Sequence, residues 1–410
     1  MKVYLQTFGC RANQYDSEVV RALLEAGGAE LVTDVAEADA AVFNSCAVTA
    51  AAESDLRHAV RRAARRRPGI ASVVMGCAAA RDPGGIAALP SVTRVIAGAG
   101  GADVAVALGV APGAGRPTRQ TGTRALLRIQ DGCDEHCTFC ATTLARGANR
   151  SRPLDALVEE AGRLAEHHPE IVLTGVHIGS YGRDTGSSLG ELADALVRAV
   201  PAARFRLSSV EATEVNDRLR ERLRAHDGGL VPYLHAPLQS GADRVLRRMG
   251  RHWYTASMYA RAIERIVGDA SVFGLGADVI AGFPGETEDD HRETLSLVSS
   301  LPFTSLHVFP YSPRPGTAAQ RIAEPVPSAD VARRATELRD EGARLAQAYR
   351  ARRDGGEADV IIIGDRAHRS GLTEDYVSVI PADDALSRGT RMRMRLTMRD
   401  GVLVARSKGC

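Results

Sequence analysis

Lysine is almost absent from this chain: Lys2 and Lys408 are the only two among 52 cationic side chains. Beside an Ala- and Gly-rich composition, that bias reflects codon usage and carries no functional weight. Net charge is also scarce. At +2 the chain has no global basic field, so any contact with nucleic acid must come from local patches. Long apolar runs are missing too: none approaches the ~18 residues of a membrane span. The start, Met1-Lys2-Val3-Tyr4-Leu5-Gln6-Thr7, lacks the charged lead and long apolar core of a signal peptide. Seven cysteines, an odd number scattered over 410 residues, argue against a disulfide framework and for a reducing, cytoplasmic compartment. A hydrophobic fraction of 44% and a charged fraction of 25% are ordinary for a globular protein of two or three domains.

The most informative run is Gly132-Cys133-Asp134-Glu135-His136-Cys137-Thr138-Phe139-Cys140, a C-x3-C-x2-C loop. A [4Fe-4S] cube normally takes four cysteines. Three on one loop leave one iron without a protein ligand, and an open iron binds something. The alternative is a zinc knuckle completed by His136. Zinc loops favour paired C-x2-C hooks with a second pair or histidines further along, and no second pair follows here.

Hydrophobic periodicity divides the chain into five stretches: 1–108, a linker at 109–123, 124–327, a connecting helix at 328–356, and 357–410. In the first stretch, strands at Val3–Phe8, Ala40–Asn44, Ser72–Met75 and Arg94–Ala97 alternate with helices. That pattern predicts an α/β fold with an open parallel sheet. Gly109–Gly122 is rich in Gly, Pro and Thr, as a linker would be. Between 124 and 327 six longer βα units follow, with strands ending near Ile129, Thr174, Ser208, His235, Ile280 and Phe309. Six units suit an open, partial (βα)6 barrel rather than a closed one of eight. The tail reads as a small β-barrel. Its run Arg391-Met392-Arg393-Met394-Arg395-Leu396-Thr397-Met398 puts arginines on one face and apolar side chains on the other. The arginine face suits phosphate contact or is simply solvated. Arg57, Arg61, Arg62, Arg65, Arg66 and Arg67 form a second basic patch with the same two readings.

Cys10, Cys46 and Cys77 each directly follow a predicted strand of the first stretch. Residues just past the carboxyl ends of neighbouring parallel strands converge on one crevice, so three thiols can meet there and hold a second cluster. Otherwise they are small buried hydrophobes. Cys410 is assigned no role.

Together these residues resemble the methylthiotransferases of the radical S-adenosylmethionine superfamily over essentially the whole chain. The opening Thr7-Phe8-Gly9-Cys10-Arg11-Ala12-Asn13-Gln14-Tyr15 looks like that of the MtaB-type branch, which acts on threonylcarbamoyladenosine in tRNA. The runs Leu173–Gly182, Asp278–Glu286 and Leu306–Thr317 point to the same branch. After the cluster loop, Ala141-Thr142-Thr143-Leu144 departs from the usual apolar pair and proline. The resemblance implies a flavodoxin-like cluster domain, a radical-SAM partial barrel and a TRAM-like C-terminal module. It implies two [4Fe-4S] clusters: a radical-SAM cluster on Cys133, Cys137 and Cys140, and an auxiliary, sulfur-bearing one on Cys10, Cys46 and Cys77. S-adenosyl-L-methionine would be both methyl donor and radical source. A tRNA anticodon stem-loop, an electron donor such as flavodoxin or ferredoxin, and a sulfur source would be partners, with no membrane. The reaction implied is conversion of N6-threonylcarbamoyladenosine at nucleotide 37 to its 2-methylthio derivative.

Further contacts are expected at the ends of the barrel strands. Phe139 is placed near the adenine, or is loop packing. Gly175 lets backbone approach the methionine amino group. Ser208, Ser209, Glu211, Gln239 and Ser240 are polar groups at strand ends. Gly282 closes the fifth strand, touching adenine or forming a tight turn. His235 ends the fourth strand. Rival readings are a methylthiotransferase for another tRNA base, a protein side chain or a specialised metabolite, and an RNA-binding iron–sulfur redox sensor without turnover.

Overall fold

Residues 1–47, 50–111, 117–365 and 368–407 are described by the computed structural model. Cys410, Lys408 and part of the linker stretch lie outside them. The first unit is a five-stranded parallel sheet in the spatial order 2-1-3-4-5, the flavodoxin-like arrangement. Its strands are Lys2–Thr7, Glu30–Val32, Ala40–Ser45, Ala71–Gly76 and Val92–Ala97. The third, Ala40–Ser45, is buried on both faces, as a central parallel strand must be. Val42 and Val73 pack against helix Arg11–Ala26, while Phe43 and Val74 pack against helix Ala50–Arg66. The short edge strand Glu30–Val32 carried no clear signal in the sequence.

The second unit has the six expected strands. Ala125–Arg128, Glu170–Thr174 and Arg204–Leu207 form one parallel sheet; Tyr233–His235, Gly274–Ala281 and Ser305–Pro310 form another. A parallel bridge from Ser209 to His235 joins them into one open, curved wall. Helices such as Leu154–Ala165, Leu189–Ala199 and Ala256–Val267 turn their leucines and isoleucines onto its outer face. Thr287 starts helix Glu288–Ser300 with a capping box shared with Asp290.

Helix Ser328–Arg352 leads to a closed five-stranded barrel containing Glu357–Ile362 and Arg391–Arg399. Met394 and Leu396 point into its core, as the alternation requires. Two arginines of the opposite face are already paired: Arg391 with Asp359 at 2.8 Å and Arg393 with Glu357 at 3.5 Å. The first-unit patch is partly neutralised as well, since Arg57 meets Asp82 at 2.8 Å and Arg66 meets Asp34 at 3.2 Å.

The units are clamped by buried polar contacts. Glu170 lies fully buried between Arg204 at 2.7 Å and Arg206 at 2.9 Å. Both guanidiniums also reach backbone carbonyls at Leu372–Glu374 of the C-terminal barrel. The linker end is not a free tether: Gln120 is buried, and its amide bonds the backbone of Leu126.

Candidate active site at the domain seam

The cysteines after the first-unit strands arrive where the topology sends them. Cys10 caps helix Arg11–Ala26, Cys46 follows strand Ala40–Ser45, and Cys77 opens a short helix after Ala71–Gly76. Gly9, at φ +95°, lets the loop lie against Cys46; a Cβ there would sit 2.3 Å from its sulfur. Asn13 Oδ1 stands 3.9 Å from the Cys10 sulfur and 3.8 Å from that of Cys77. Burial pushes the Cys77 thiol up to about 11, against the opposing pull of Arg146. Arg146 belongs to the other unit. It donates to Cys77 Sγ at 3.4 Å, to Asn13 Oδ1 at 2.8 Å and to Asp16 at 2.7 Å, and also pairs with Asp131 at 3.1 Å.

The loop cysteines have a different surrounding. Backbone N–H groups of Glu135 and Thr142 donate to the sulfurs of Cys133 and Cys140 at 3.4 and 3.3 Å. Arg251 donates to Cys137 Sγ at 3.5 Å and forms a close ion pair with Glu211. Burial lifts the Cys137 thiol to about 12 despite that arginine. His177 stands 3.6 Å from Cys133 Sγ and 2.9 Å from Glu214. Burial disfavours its charge, but the hydrogen bonds to Cys133 and Glu214 prevail and lift it to about 10.

Among the described residues each set offers three thiols and no fourth, with donors aimed at the sulfurs, which suits an iron–sulfur cube with an open iron. A single zinc ion does not fit. His136 is exposed, and the only group of three among the described residues that gathers its ligand atoms within the span of one ion is His235, Asp278 and His307.

A cavity of about 590 Å³ opens between the units. Cys10, Cys46 and Cys77 line one side; Thr174, Gly175, Ser208 and Ser209 line the barrel side. Gly175 tolerates no side chain, since a Cβ would meet the Gln130 carbonyl at 2.6 Å. The other expected contacts lie elsewhere. Glu211 is buried against Arg251, with Oε2 unpartnered. Phe139 packs edge-on against Phe283 at 6.4 Å. Gln239, at φ +64°, joins the backbones of Asp278 and Ile280. Ser240 is fully buried and meets Thr294 of helix Glu288–Ser300 at 3.2 Å, so it braces that helix rather than the cavity. Gly282 bonds Glu286 through its N–H at 2.7 Å and faces Val331 of helix Ser328–Arg352, which makes it the start of a tight turn.

Sequence reasoning missed Arg146, His177, Arg251 and Tyr376. His177 had a signal, standing two residues past Gly175 at a strand end. The two arginines had none in an arginine-rich chain. Tyr376 comes from the C-terminal barrel, yet it reaches this cavity.

Known proteins agree with this arrangement. Residues 2–98 match the Uncharacterized protein family UPF0004, and residues 127–298 match the Radical SAM superfamily. The threonylcarbamoyladenosine tRNA methylthiotransferase MtaB of Thermotoga maritima is 33% identical over 428 residues, covering 99% of this chain and 97% of that protein. The chain belongs to the radical S-adenosylmethionine methylthiotransferases of the MtaB type. The Bacillus subtilis MtaB is 36% identical over 352 residues, with 79% and 76% covered. A second methylthiotransferase, the tRNA-2-methylthio-N(6)-dimethylallyladenosine synthase of Neisseria meningitidis, is 34% identical over 381 residues, with 84% and 85% covered. Among solved structures, the radical S-adenosylmethionine methyltransferase TsrM from Kitasatospora setae shares the fold. Its TM-score is 0.59 at 14% identity, covering 78% of this chain and 77% of that one.

Proposed function

We propose that the protein converts N6-threonylcarbamoyladenosine at nucleotide 37 of tRNA to its 2-methylthio derivative, using two [4Fe-4S] clusters and S-adenosylmethionine. The observation that carries this reading is one cavity with a three-thiol set at its edge and the barrel strand ends opposite, in a chain collinear with MtaB-type enzymes. When bound, the clusters and S-adenosylmethionine supply a 5′-deoxyadenosyl radical and the sulfur and methyl group to be inserted.

The chain's own part is placement. Cys133, Cys137 and Cys140 hold the radical-generating side, with Gly175, Ser208 and Ser209 close enough for backbone and hydroxyl contacts to the nucleoside. Cys10, Cys46 and Cys77 hold the sulfur side. Arg146 fixes the spacing between them, because one guanidinium bonds both a first-unit sulfur and the loop carboxylate Asp131. Residues 1–108 then serve as the cluster domain, 124–327 as the radical-SAM barrel and 357–410 as a TRAM-like RNA handle. A cytoplasmic setting, a flavodoxin- or ferredoxin-like electron donor and a sulfur source complete the reading.

The test is turnover of the reconstituted enzyme, without oxygen, on an anticodon stem-loop carrying threonylcarbamoyladenosine. Mass spectrometry should find the 2-methylthio nucleoside and 5′-deoxyadenosine. Radical formation with no methylthiolation of this base, but with methylthiolation of another, would overturn the substrate.

A further inference from the structure

The wall joining the two sides of the cavity is built from three separate parts of the chain. Arg11 comes from the first helix, His235, Asp278 and His307 from three barrel strands, and Tyr376 from the C-terminal barrel. Its charges are unevenly matched. Arg11 donates to the Tyr376 hydroxyl at 3.2 Å, a neutral partner, and among the described residues no carboxylate lies within 4 Å of its guanidinium. The other guanidinium lining the cavity, Arg146, is neutralised by Asp16 and Asp131.

Asp278 is the one acid lining this cavity, and it is already engaged. One oxygen meets His235 Nε2 at 3.1 Å and His307 Nδ1 at 3.4 Å. These hydrogen bonds close the group on itself, so it orients the imidazoles. The bond to Asp278, stronger than the effect of burial, raises the His307 pKa and favours its cationic form. His307 lines the cavity with over half of its side chain exposed. Tyr376 shows the same local excess of positive charge. Burial would raise its pKa, yet Arg11, Arg124 and Arg206 together lower it.

Tyr376 is held there deliberately. It adopts φ +68°, which a bulky aromatic residue rarely does, and its ring lies 4.7 Å from Tyr233. Asp375 beside it is fully buried, bonded by Tyr349 at 2.6 Å and by Arg353 at 2.8 Å. The left-handed backbone belongs to the tight turn of its own barrel, closed by Tyr376 N–H to the Thr373 carbonyl at 3.2 Å, and that turn carries the ring into the cavity.

We infer that Arg11 and His307 form the subsite that takes the carboxylate of an amino-acid side arm on the substrate base, with Tyr376 and Asp278 as positioning residues. The inference rests on the proposed function and deepens it. In threonylcarbamoyladenosine the threonine is attached through its nitrogen, so its carboxylate is free. A wall with an unpaired guanidinium selects such an arm twice over. It rewards the anion with charge-assisted hydrogen bonds, and it penalises an apolar arm that would leave Arg11 desolvated and unpaired. A pocket whose polar groups need the ligand discriminates more sharply than an apolar pocket of the same size.

The test uses the full-length, cluster-loaded enzyme and two anticodon stem-loops, one with threonylcarbamoyladenosine and one with its side-chain carboxylate converted to the amide. Binding is measured without turnover. The native enzyme should bind the acid about 10-fold or more tighter than the amide. Arg11→Met should bring the two within about twofold, and His307→Gln should leave an intermediate ratio. Because each variant is read as a ratio, a general loss of affinity cancels. Should Arg11→Met lose its auxiliary iron, the His307→Gln ratio still decides. An unchanged ratio in both variants, or equal binding of acid and amide by the native enzyme, overturns the subsite. If the native enzyme methylthiolates acid and amide alike, the proposed function stands and the subsite falls. If it methylthiolates neither but accepts another modified base, the function beneath it falls as well.

Discussion

The two cysteine sets hold the same number of thiols by opposite means. Cys10, Cys46 and Cys77 are brought together by sheet topology: three strand ends far apart in sequence, aligned by parallel register. Cys133, Cys137 and Cys140 come from one irregular loop, and their partners all belong to their own unit: backbone N–H groups at Glu135 and Thr142, with His177 and Arg251 from the same barrel. The first set instead depends on a guanidinium from the other unit, since Arg146 reaches Cys77 across the seam. The contrast teaches that the sulfur side is sensitive to how the units dock, whereas the radical side is largely self-contained.

The largest expected effect separates the two sets by chemistry. Replacing Cys133, Cys137 or Cys140 with Ala should abolish both 5′-deoxyadenosine formation and methylthio insertion. Replacing Cys10, Cys46 or Cys77 should abolish insertion and leave measurable cleavage of S-adenosylmethionine. Chromatography of 5′-deoxyadenosine alongside nucleoside mass spectrometry reads both at once. Loss of all cleavage in Cys46→Ala, with the loop cluster intact by iron analysis, would erase the distinction.

A second, smaller effect tests the dependence on docking. Arg146→Met leaves Asp16 buried with Arg128 as its remaining charged partner, which costs about 1–3 kcal/mol of stability. The same change removes a donor from Cys77, so iron should fall from about eight toward about four per chain, with the loop cluster retained. Glu170→Gln supplies the control. It disturbs a buried cluster of similar kind, between Arg204 and Arg206, and touches neither cysteine set. Thermal stability should fall in both variants, while selective iron loss should occur in Arg146→Met alone. Equal iron loss in the two would mean that general instability, not the seam arginine, governs the auxiliary site.

The same contrast explains how much of the molecule could be read in advance. Strand and helix positions were legible because apolar spacing is local: helix Glu288–Ser300 and all six barrel strands fall within a few residues of their expected places. The convergence of Cys10, Cys46 and Cys77 was legible because parallel topology dictates where strand ends lead. Arg146, Arg251 and Tyr376 were not, because each acts by reaching across a long sequence gap. In a chain whose cations are nearly all arginine, no local pattern separates the guanidinium that meets a sulfur from the one that meets solvent. Ser240 and Gly282 show how little a strand-end position alone decides: Ser240 is fully buried against Thr294, and Gly282, for which adenine contact and a tight turn were both open, bonds Glu286 in such a turn.

The smallest effect belongs to the seam where the C-terminal barrel meets the central one. Glu374 lies there mostly buried, accepting the Asp359 N–H at 2.7 Å. Burial first, and then the neighbouring charge of Asp375, raise its carboxyl from the ordinary 4.5 to about 7. A carboxyl raised in this way binds more protons in the folded state than in the unfolded state between those two values. Stability therefore falls as pH rises through that window. Below pH 4.5 both states are protonated and the contribution vanishes. Glu374→Gln keeps an acceptor for Asp359 and removes the charge. It should raise stability at pH 8 by something on the order of 1–3 kcal/mol and change little near pH 4. Thermal melts across that pH range provide the measurement. Iron content should stay constant throughout, because the Glu374 side chain meets the Asp359 N–H and Arg353 and touches no cysteine. A parallel drop in iron with pH would instead tie the auxiliary site to both seams, and the radical side would remain the only self-contained half.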